Sequence, residues 1–176
     1  MQQTSLLERM RMPAAAIACP DPSYVLKVAL VFQDEGTRLR ARQVCHRLAK
    51  VVGERAIQCT EWRINDLQDR RVFCEGVTAL AEADAIAIAV RDTERLPGVF
   101  YLWVNLWLQR RYGTPGALIA LVGPLAKSNP AANELRSYLH AIADQGHLDF
   151  LLKECPRPDE PTRGVPEDLL EWAEAA

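Results

Sequence analysis

Four short apolar runs and one alternating segment recur along the chain, separated by longer stretches in which apolar residues return every three or four positions. Short apolar runs are typical of strands buried on both faces, and the longer spacing is typical of helices with one buried side. The pattern predicts strands at 25–32, 56–61, 84–90, 117–123 and 148–153. It predicts helices over 37–52, 66–83, 97–112 and 130–145.

Capping residues indicate where these helices begin. Asn65 or Asp66 can cap the second helix, and Asn129 can cap the fourth with Pro130 in its first turn. Their side-chain oxygens can accept hydrogen bonds from backbone N–H groups that have no partner inside the helix.

The alternation of strands and helices predicts an α/β fold. Parallel strands need crossover connections, and right-handed crossovers place helices on both faces of the sheet. We therefore expect a three-layer α/β/α sandwich around a five-stranded parallel sheet in the flavodoxin-like order 2-1-3-4-5. The residues expected in its core are Val28, Leu30, Ile86, Ile88, Ile119 and Leu121.

The ends of the chain differ from this pattern. Residues 1–23 predict a flexible N-terminal arm, and the α/β domain is expected over 24–156. Residues 157–176 predict a proline-rich linker followed by a short helix that begins at Pro166. Its apolar residues are Leu169, Leu170 and Trp172.

Composition excludes several classes of protein. A length of 176 residues suits one domain with a single core. The net charge of −2 argues against a dedicated nucleic-acid binder. No apolar run approaches the roughly 18 residues that span a bilayer, so we expect a cytoplasmic protein. The five cysteines are widely spread and form no C-x-x-C pair, which predicts reduced thiols.

Polar residues follow the predicted strands at the edge where ligands bind in such sheets, beside the switch point between strands 1 and 3. They are Asp34 and Glu35 after strand 1, Arg91, Asp92 and Thr93 after strand 3, Lys127 and Ser128 after strand 4, and Lys153 late in strand 5. Asp34 and Asp92 could hold Mg²⁺, which prefers oxygen ligands. A phosphate-bearing ligand could instead be neutralised by Arg91, Lys127 or Lys153, and ordinary solvated loops are the third interpretation.

The acidic pair 34–35, the Leu-Pro-Gly at 96–98 and the segment 149–156 resemble the receiver domains of bacterial response regulators. The resemblance implies that the acidic pair binds magnesium, an aspartate ending strand 3 accepts phosphate, and Lys153 contacts the phosphoryl group. The sequence departs from that pattern, because Val90 ends strand 3 and Asp92 comes two residues later. This predicts a degenerate receiver-like site.

Two functions remain open at this point. The first is a non-enzymatic regulatory or protein-interaction module. The alternative is a small-molecule or phosphate-ligand binding protein, or an enzyme, that uses the rim after strands 1 and 3. The sequence contains no P-loop and no dinucleotide-binding glycine motif, and the hydroxyl- and glycine-rich phosphate loop of flavodoxins does not follow strand 1.

The predicted helix at 97–112 is apolar on more than one side, which is typical of a helix buried by more than one neighbour. Other helices or the N-terminal arm could cover it. A homodimer through this helix is the other interpretation, since aromatic residues and arginine are enriched at interface cores. The candidate interface residues are Phe100, Tyr101, Trp103, Trp107, Arg110 and Arg111, with the two arginines expected at the rim of the contact.

Overall fold

A computed structural model of the chain describes residues 23–91, 95–123 and 130–154. Within them, five strands alternate with four α-helices. In chain order the elements are β1 (Leu26–Phe32), α1 (Glu35–Val52), β2 (Ile57–Arg63), α2 (Arg70–Glu82), β3 (Ala85–Val90), α3 (Gly98–Arg110), β4 (Gly116–Val122), α4 (Pro130–Gln145) and β5 (Leu148–Glu154). No helix in these ranges is both long enough and apolar enough to cross a membrane.

The sheet confirms the predicted fold class and strand order. All four strand pairs are parallel, and the order is β2-β1-β3-β4-β5. The order reverses beside β1, which pairs with β2 on one side and with β3 on the other. The switch point therefore lies between β1 and β3, as the sequence predicts.

The central strand β3 is buried at every position and divides two cores. Its isoleucines 86 and 88 face a core that also contains residues of α2, α3 and α4. Its alanines 85, 87 and 89 face a second core, to which α1 is the only contributing helix among the described residues. Five of the six predicted core residues are buried, and Ile119 in β4 is only half-buried.

The start of α2 corrects a predicted cap. Asn65 and Asp66 lie in a short 3₁₀ turn at 64–68, and the helix begins after Asp69, whose side chain accepts a hydrogen bond from the N–H of Arg71. Ile64 and Leu67 of the turn are buried. Their spacing of three residues is also typical of a helix, so the sequence predicts a helix that begins several residues before the observed one.

The cysteine prediction is wrong for two of the five thiols. Cys45 of α1 and Cys59 of β2 form a disulfide with their Cα atoms 6.8 Å apart. Cys74 is free and exposed. The disulfide ties the middle of α1 to the edge strand, at a point where the sequence gives no local cysteine motif.

Most aromatic side chains of α3 are buried by other elements of the same chain. Phe100, Trp103 and Trp107 are fully buried. The indole of Trp103 donates a hydrogen bond to the carbonyl of Phe73 in α2 and lies so close to Gly76 that a Cβ there would be 2.7 Å from the ring. These three aromatic residues are therefore core residues, which corrects their expected place on an exposed interface.

Arg111 is also not a rim residue, because its side chain is 1% exposed. Its guanidinium donates hydrogen bonds to the carbonyls of Leu80 and Ala83, where α2 ends, and to those of Thr114 and Pro115. The neighbouring Arg110 is exposed, as predicted for both arginines.

Candidate functional site

Side chains of the chain itself contact one another at the carboxyl edge of β1 and β3. Gln33, the first residue after β1, is buried, and its side-chain carbonyl accepts a hydrogen bond of 3.1 Å from the backbone N–H of Arg91. This bond joins the ends of the two strands across the switch point. Sequence reasoning did not select Gln33, although an uncharged polar residue ending a buried strand is a usable signal for such a contact.

Asp34 is the N-cap of α1. Its carboxylate accepts a hydrogen bond of 2.9 Å from the N–H of Thr37, and the hydroxyl of Thr37 accepts one from the N–H of Asp34. The other carboxylate oxygen forms an ion pair of 2.5 Å with Nε of Arg91. One carboxylate oxygen of Asp34 therefore caps α1, and the other pairs with Arg91. These two contacts explain why a carboxylate stands at the end of an apolar strand.

The protonation of Asp34 reflects these partners. Partial burial alone would raise the pKa of this carboxyl group. The hydrogen bonds from the backbone and hydroxyl of Thr37, together with the charge of Arg91, outweigh burial and hold the pKa of Asp34 below its ordinary value. The group is therefore an anion at neutral pH, paired with a cation of the same chain.

Glu35 turns away from the switch point. Its carboxylate pairs with Arg38 one turn later at 3.2 Å, and Arg38 also pairs with Glu61 of β2 at 2.8 Å. Arg42 contacts the same Glu61 at 2.5 Å. The two adjacent carboxylates therefore pair with different arginines, Asp34 with Arg91 and Glu35 with Arg38.

Arg91 is the exposed cation of this rim. It directly follows β3, and 54% of its side chain is accessible to solvent although Nε is held by Asp34. Because the ion pair is made through Nε, it fixes the plane of the guanidinium at the switch point. An arginine fixed in this way is suited to bind a planar or tetrahedral anion.

The remaining predicted site residues are distributed differently. Asp92, Thr93, Lys127 and Ser128 lie outside the described residues. Lys153 is exposed on β5, opposite Leu121 of β4, and β3 and β4 separate its strand from β1. Within the described ranges, no group of three or more His, Cys, Asp or Glu side chains could hold a metal ion.

A cavity of about 150 Å³ lies elsewhere, between α2 and the β1–β2 edge of the sheet. Its lining includes Lys27 and Glu82, which form an exposed ion pair of 2.9 Å, and Gln58 and Thr60 of the edge strand. It contains no convergent catalytic groups and lies away from the switch point.

Comparison with known proteins gives the fold but no family. No protein-family model matches the chain, and no curated protein matches it. Among solved structures, an oxidoreductase from Corynebacterium diphtheriae is similar over 84% of this chain and 90% of its own, with 14% identity and a TM-score of 0.57. A short-chain flavodoxin associated with a non-canonical PDU bacterial microcompartment is similar over 77% of this chain and 88% of its own, with 13% identity and a TM-score of 0.52. These structures are not receiver domains, and the likeness shows that the chain has a flavodoxin-like α/β fold.

Proposed function

We propose that the chain binds a small molecule at the carboxyl edge of β1 and β3, and that Arg91 holds an anionic group of this ligand, such as a phosphate. The observation that carries the proposal is the pairing at the rim. Asp34 and Glu35 are both engaged by cations of the same chain, whereas the guanidinium of Arg91 remains half-exposed at the switch point. The rim therefore offers an accessible cation and no unengaged carboxylate among its described residues.

This pairing favours an anion over a magnesium ion. A divalent cation at Asp34 would compete with Arg91 for the same carboxylate oxygen and would be repelled by the guanidinium beside it. An anion at Arg91 meets no such competition, because the guanidinium has further N–H donors besides Nε. Lys127 and Ser128, expected at the same edge from the sequence, would add a charge and a hydroxyl donor.

A flavin phosphate does not fit at the end of β1. Phosphates bind well at a helix N-terminus whose N–H groups point to them. At the start of α1, the carboxylate of Asp34 already occupies the N–H of Thr37, and it would repel a phosphate there. We therefore place the anionic group beside Arg91 and derive no flavin chemistry.

The comparisons favour this binding function over a regulatory module. The regulatory interpretation rested on the resemblance to receiver domains, whereas the similar structures are an oxidoreductase and a flavodoxin. Their names do not transfer an activity to this chain. They do make flavin and nicotinamide nucleotides reasonable probes.

The test is a titration of the ¹⁵N-labelled full chain with pyrophosphate, flavin mononucleotide and NADPH in turn, with magnesium chloride as a separate arm. We expect saturable shifts of the Gly36 and Arg91 amides with at least one phosphate compound. Arg91→Gln should weaken that binding roughly 10-fold to 100-fold, the usual contribution of a charge-assisted hydrogen bond.

Two variants control the experiment. Arg91→Lys keeps the charge and should lose less affinity, and Arg55→Gln removes an exposed arginine at the opposite edge and should change nothing. Absence of saturable shifts with all three phosphate compounds, or shifts with magnesium alone, would contradict the proposal.

A further inference from the structure

The cavity of about 150 Å³ beside α2 lies at the amino end of β1, away from the switch point. Lys27 of β1 and Gln58 of β2, which are neighbours in the paired strands, line it together with Thr60. Ala79 of α2 and Ala83, which follows the helix, line the other side, and their small side chains leave the space open. This volume is the share of roughly five molecules of liquid water, which suits a compact ligand.

Two opposite charges line this cavity. The ammonium of Lys27 and the carboxylate of Glu82 lie 2.9 Å apart, and their side chains are 50% and 59% exposed. The side chain of Asp84 accepts a hydrogen bond of 2.8 Å from the N–H of Lys27, and the N–H of Asp84 donates to the carbonyl of Lys27. These bonds fix the start of β1 relative to the end of α2, so the backbones that carry the two charges are in place before a ligand binds.

The lining retains hydrogen-bonding capacity for a ligand. An ammonium group has three N–H donors, and the contact of Lys27 with Glu82 uses one of them. The hydroxyl of Thr60 accepts a hydrogen bond of 3.1 Å from the indole of Trp62, so its own proton can still be donated. The exposed amide of Gln58 carries donors and an acceptor. The cavity therefore offers a cation, an anion and neutral polar groups within one small volume.

We propose that this cavity binds a small zwitterion of the class of free α-amino acids, with its carboxylate on Lys27 and its ammonium on Glu82. A ligand with a single charge fits less well, because Glu82 repels an anion at this point and Lys27 repels a cation. A ligand that carries both charges replaces one ion pair with two, so neither charge of the site is left without a partner.

The remaining lining limits the side chain of such a ligand. Ala79 and Ala83 present methyl groups, and the hydroxyl of Thr60 is the nearest neutral donor on the sheet side. A short apolar or hydroxylated side chain therefore fits better than a long or aromatic one. Lys27 lies roughly 20 Å along β1 from the switch point, so this inference does not depend on the proposed ligand site there.

The experiment titrates the ¹⁵N-labelled full chain with glycine, L-alanine and L-serine in turn, and with sodium acetate and methylammonium chloride as separate arms. We expect saturable shifts of the Gln58, Thr60 and Ala83 amides with at least one amino acid, and much weaker binding of the two singly charged compounds. Lys27→Met and Glu82→Gln should each lower the affinity roughly 10-fold to 100-fold, since each removes one charge-assisted hydrogen bond. Both side chains are half-exposed, so neither change should unfold the chain.

Three further variants control the assignment. Lys27→Arg keeps the charge and should lose less affinity than Lys27→Met, whereas Ala79→Leu fills the cavity and should abolish binding. Lys50→Met removes an exposed lysine of α1 and should change nothing. The proposal is overturned by the absence of saturable shifts with all three amino acids, by equal affinity for acetate or methylammonium, or by shifts confined to the Gly36 and Arg91 amides at the switch point.

Discussion

The guanidinium of Arg111 joins three segments at the amino edge of the sheet. It donates to carbonyls at the end of α2 and in the loop before β4, and its burial lowers its pKa while the charge of Asp84 opposes that shift. Asp84 in turn accepts hydrogen bonds from the Tyr24 hydroxyl and the Lys27 N–H. One buried cation thus forms buried hydrogen bonds with the carbonyls of Leu80 and Ala83.

We predict that Arg111→Met lowers the free energy of unfolding by roughly 2–4 kcal/mol, because buried carbonyls lose their donors. The matched control is Arg110→Met, one residue earlier and exposed, which should change the free energy by less than about 0.5 kcal/mol. Urea unfolding of both variants measures the difference. Equal effects of the two substitutions would show that the Arg111 contacts do not stabilise the fold.

Glu61 gives a prediction for the pH dependence of stability. The hydrogen bond from Arg42 lowers the pKa of Glu61 most, Arg38 adds to this effect, and partial burial opposes it. Because the folded-state pKa lies below the ordinary value of 4.5, the stabilisation is complete above that pH and is lost as the pH falls through the folded-state pKa. Glu61→Gln should therefore cost roughly 0.5–1 kcal/mol at neutral pH.

The difference between wild type and Glu61→Gln should shrink as the pH falls below 4.5, where the wild-type carboxylate also becomes protonated. Unfolding curves at neutral and acidic pH provide the comparison. A difference that stays constant over this range would mean that the charge of Glu61 is not the stabilising feature.

At the scale of elements, the sequence predicts all five strands to within one or two residues at each end. A short run that is apolar at every position, such as β3, predicts a strand, because both faces of a strand in a parallel sheet are covered by helices. Contacts between elements were not predictable in the same way. The sequence predicts that Asp34 and Arg91 lie at facing ends of strands 1 and 3, but not that they form an ion pair, because the pairing depends on the register between β1 and β3.

The disulfide was missed for the same reason. Cys45 and Cys59 are 14 residues apart and meet only because α1 packs beside the edge strand β2. In sequence they differ in no way from buried reduced thiols. Arg111 is a further example, since a pair of adjacent arginines at a helix end does not indicate which one turns inward.

We predict that the double substitution Cys45→Ser and Cys59→Ser lowers the free energy of unfolding by roughly 2–3 kcal/mol, because the unfolded chain regains the freedom of the closed loop. Reduction of the wild-type protein should reproduce most of this loss, and Cys74→Ser is the matched control at a free thiol. Peptide mapping without reductant should recover residues 45 and 59 in linked peptides. Recovery of both thiols as alkylated, unlinked peptides would contradict the pairing.

At the scale of the whole molecule, the homodimer through α3 stays a prediction. Fewer side chains of this helix are exposed to a partner than the sequence predicts. Phe100, Trp103 and Trp107 are buried within one chain, and the ring of Tyr101 already packs on Tyr138 at 4.9 Å. Leu102, 56% exposed, is the main apolar residue that this helix offers to a partner.

Light scattering at micromolar concentration tests this association. A dimer mass that Leu102→Glu converts to a monomer mass, and that Gln43→Glu at an exposed position of α1 leaves unchanged, would support the interface. A monomer mass for the unaltered chain would exclude it at that concentration.

The alternation of alanine and isoleucine along β3 gives the two cores side chains of different size at this strand. Its methyl groups face the core that α1 covers, whereas its isoleucines face the core that α2, α3 and α4 cover. Because Ala87 and Ala89 are fully buried, a larger side chain at either position would push α1 away from the sheet and move the aspartate that begins it. The geometry of the carboxyl edge is therefore adjustable from the interior, and ligand preference in this fold can diverge through residues that no ligand touches.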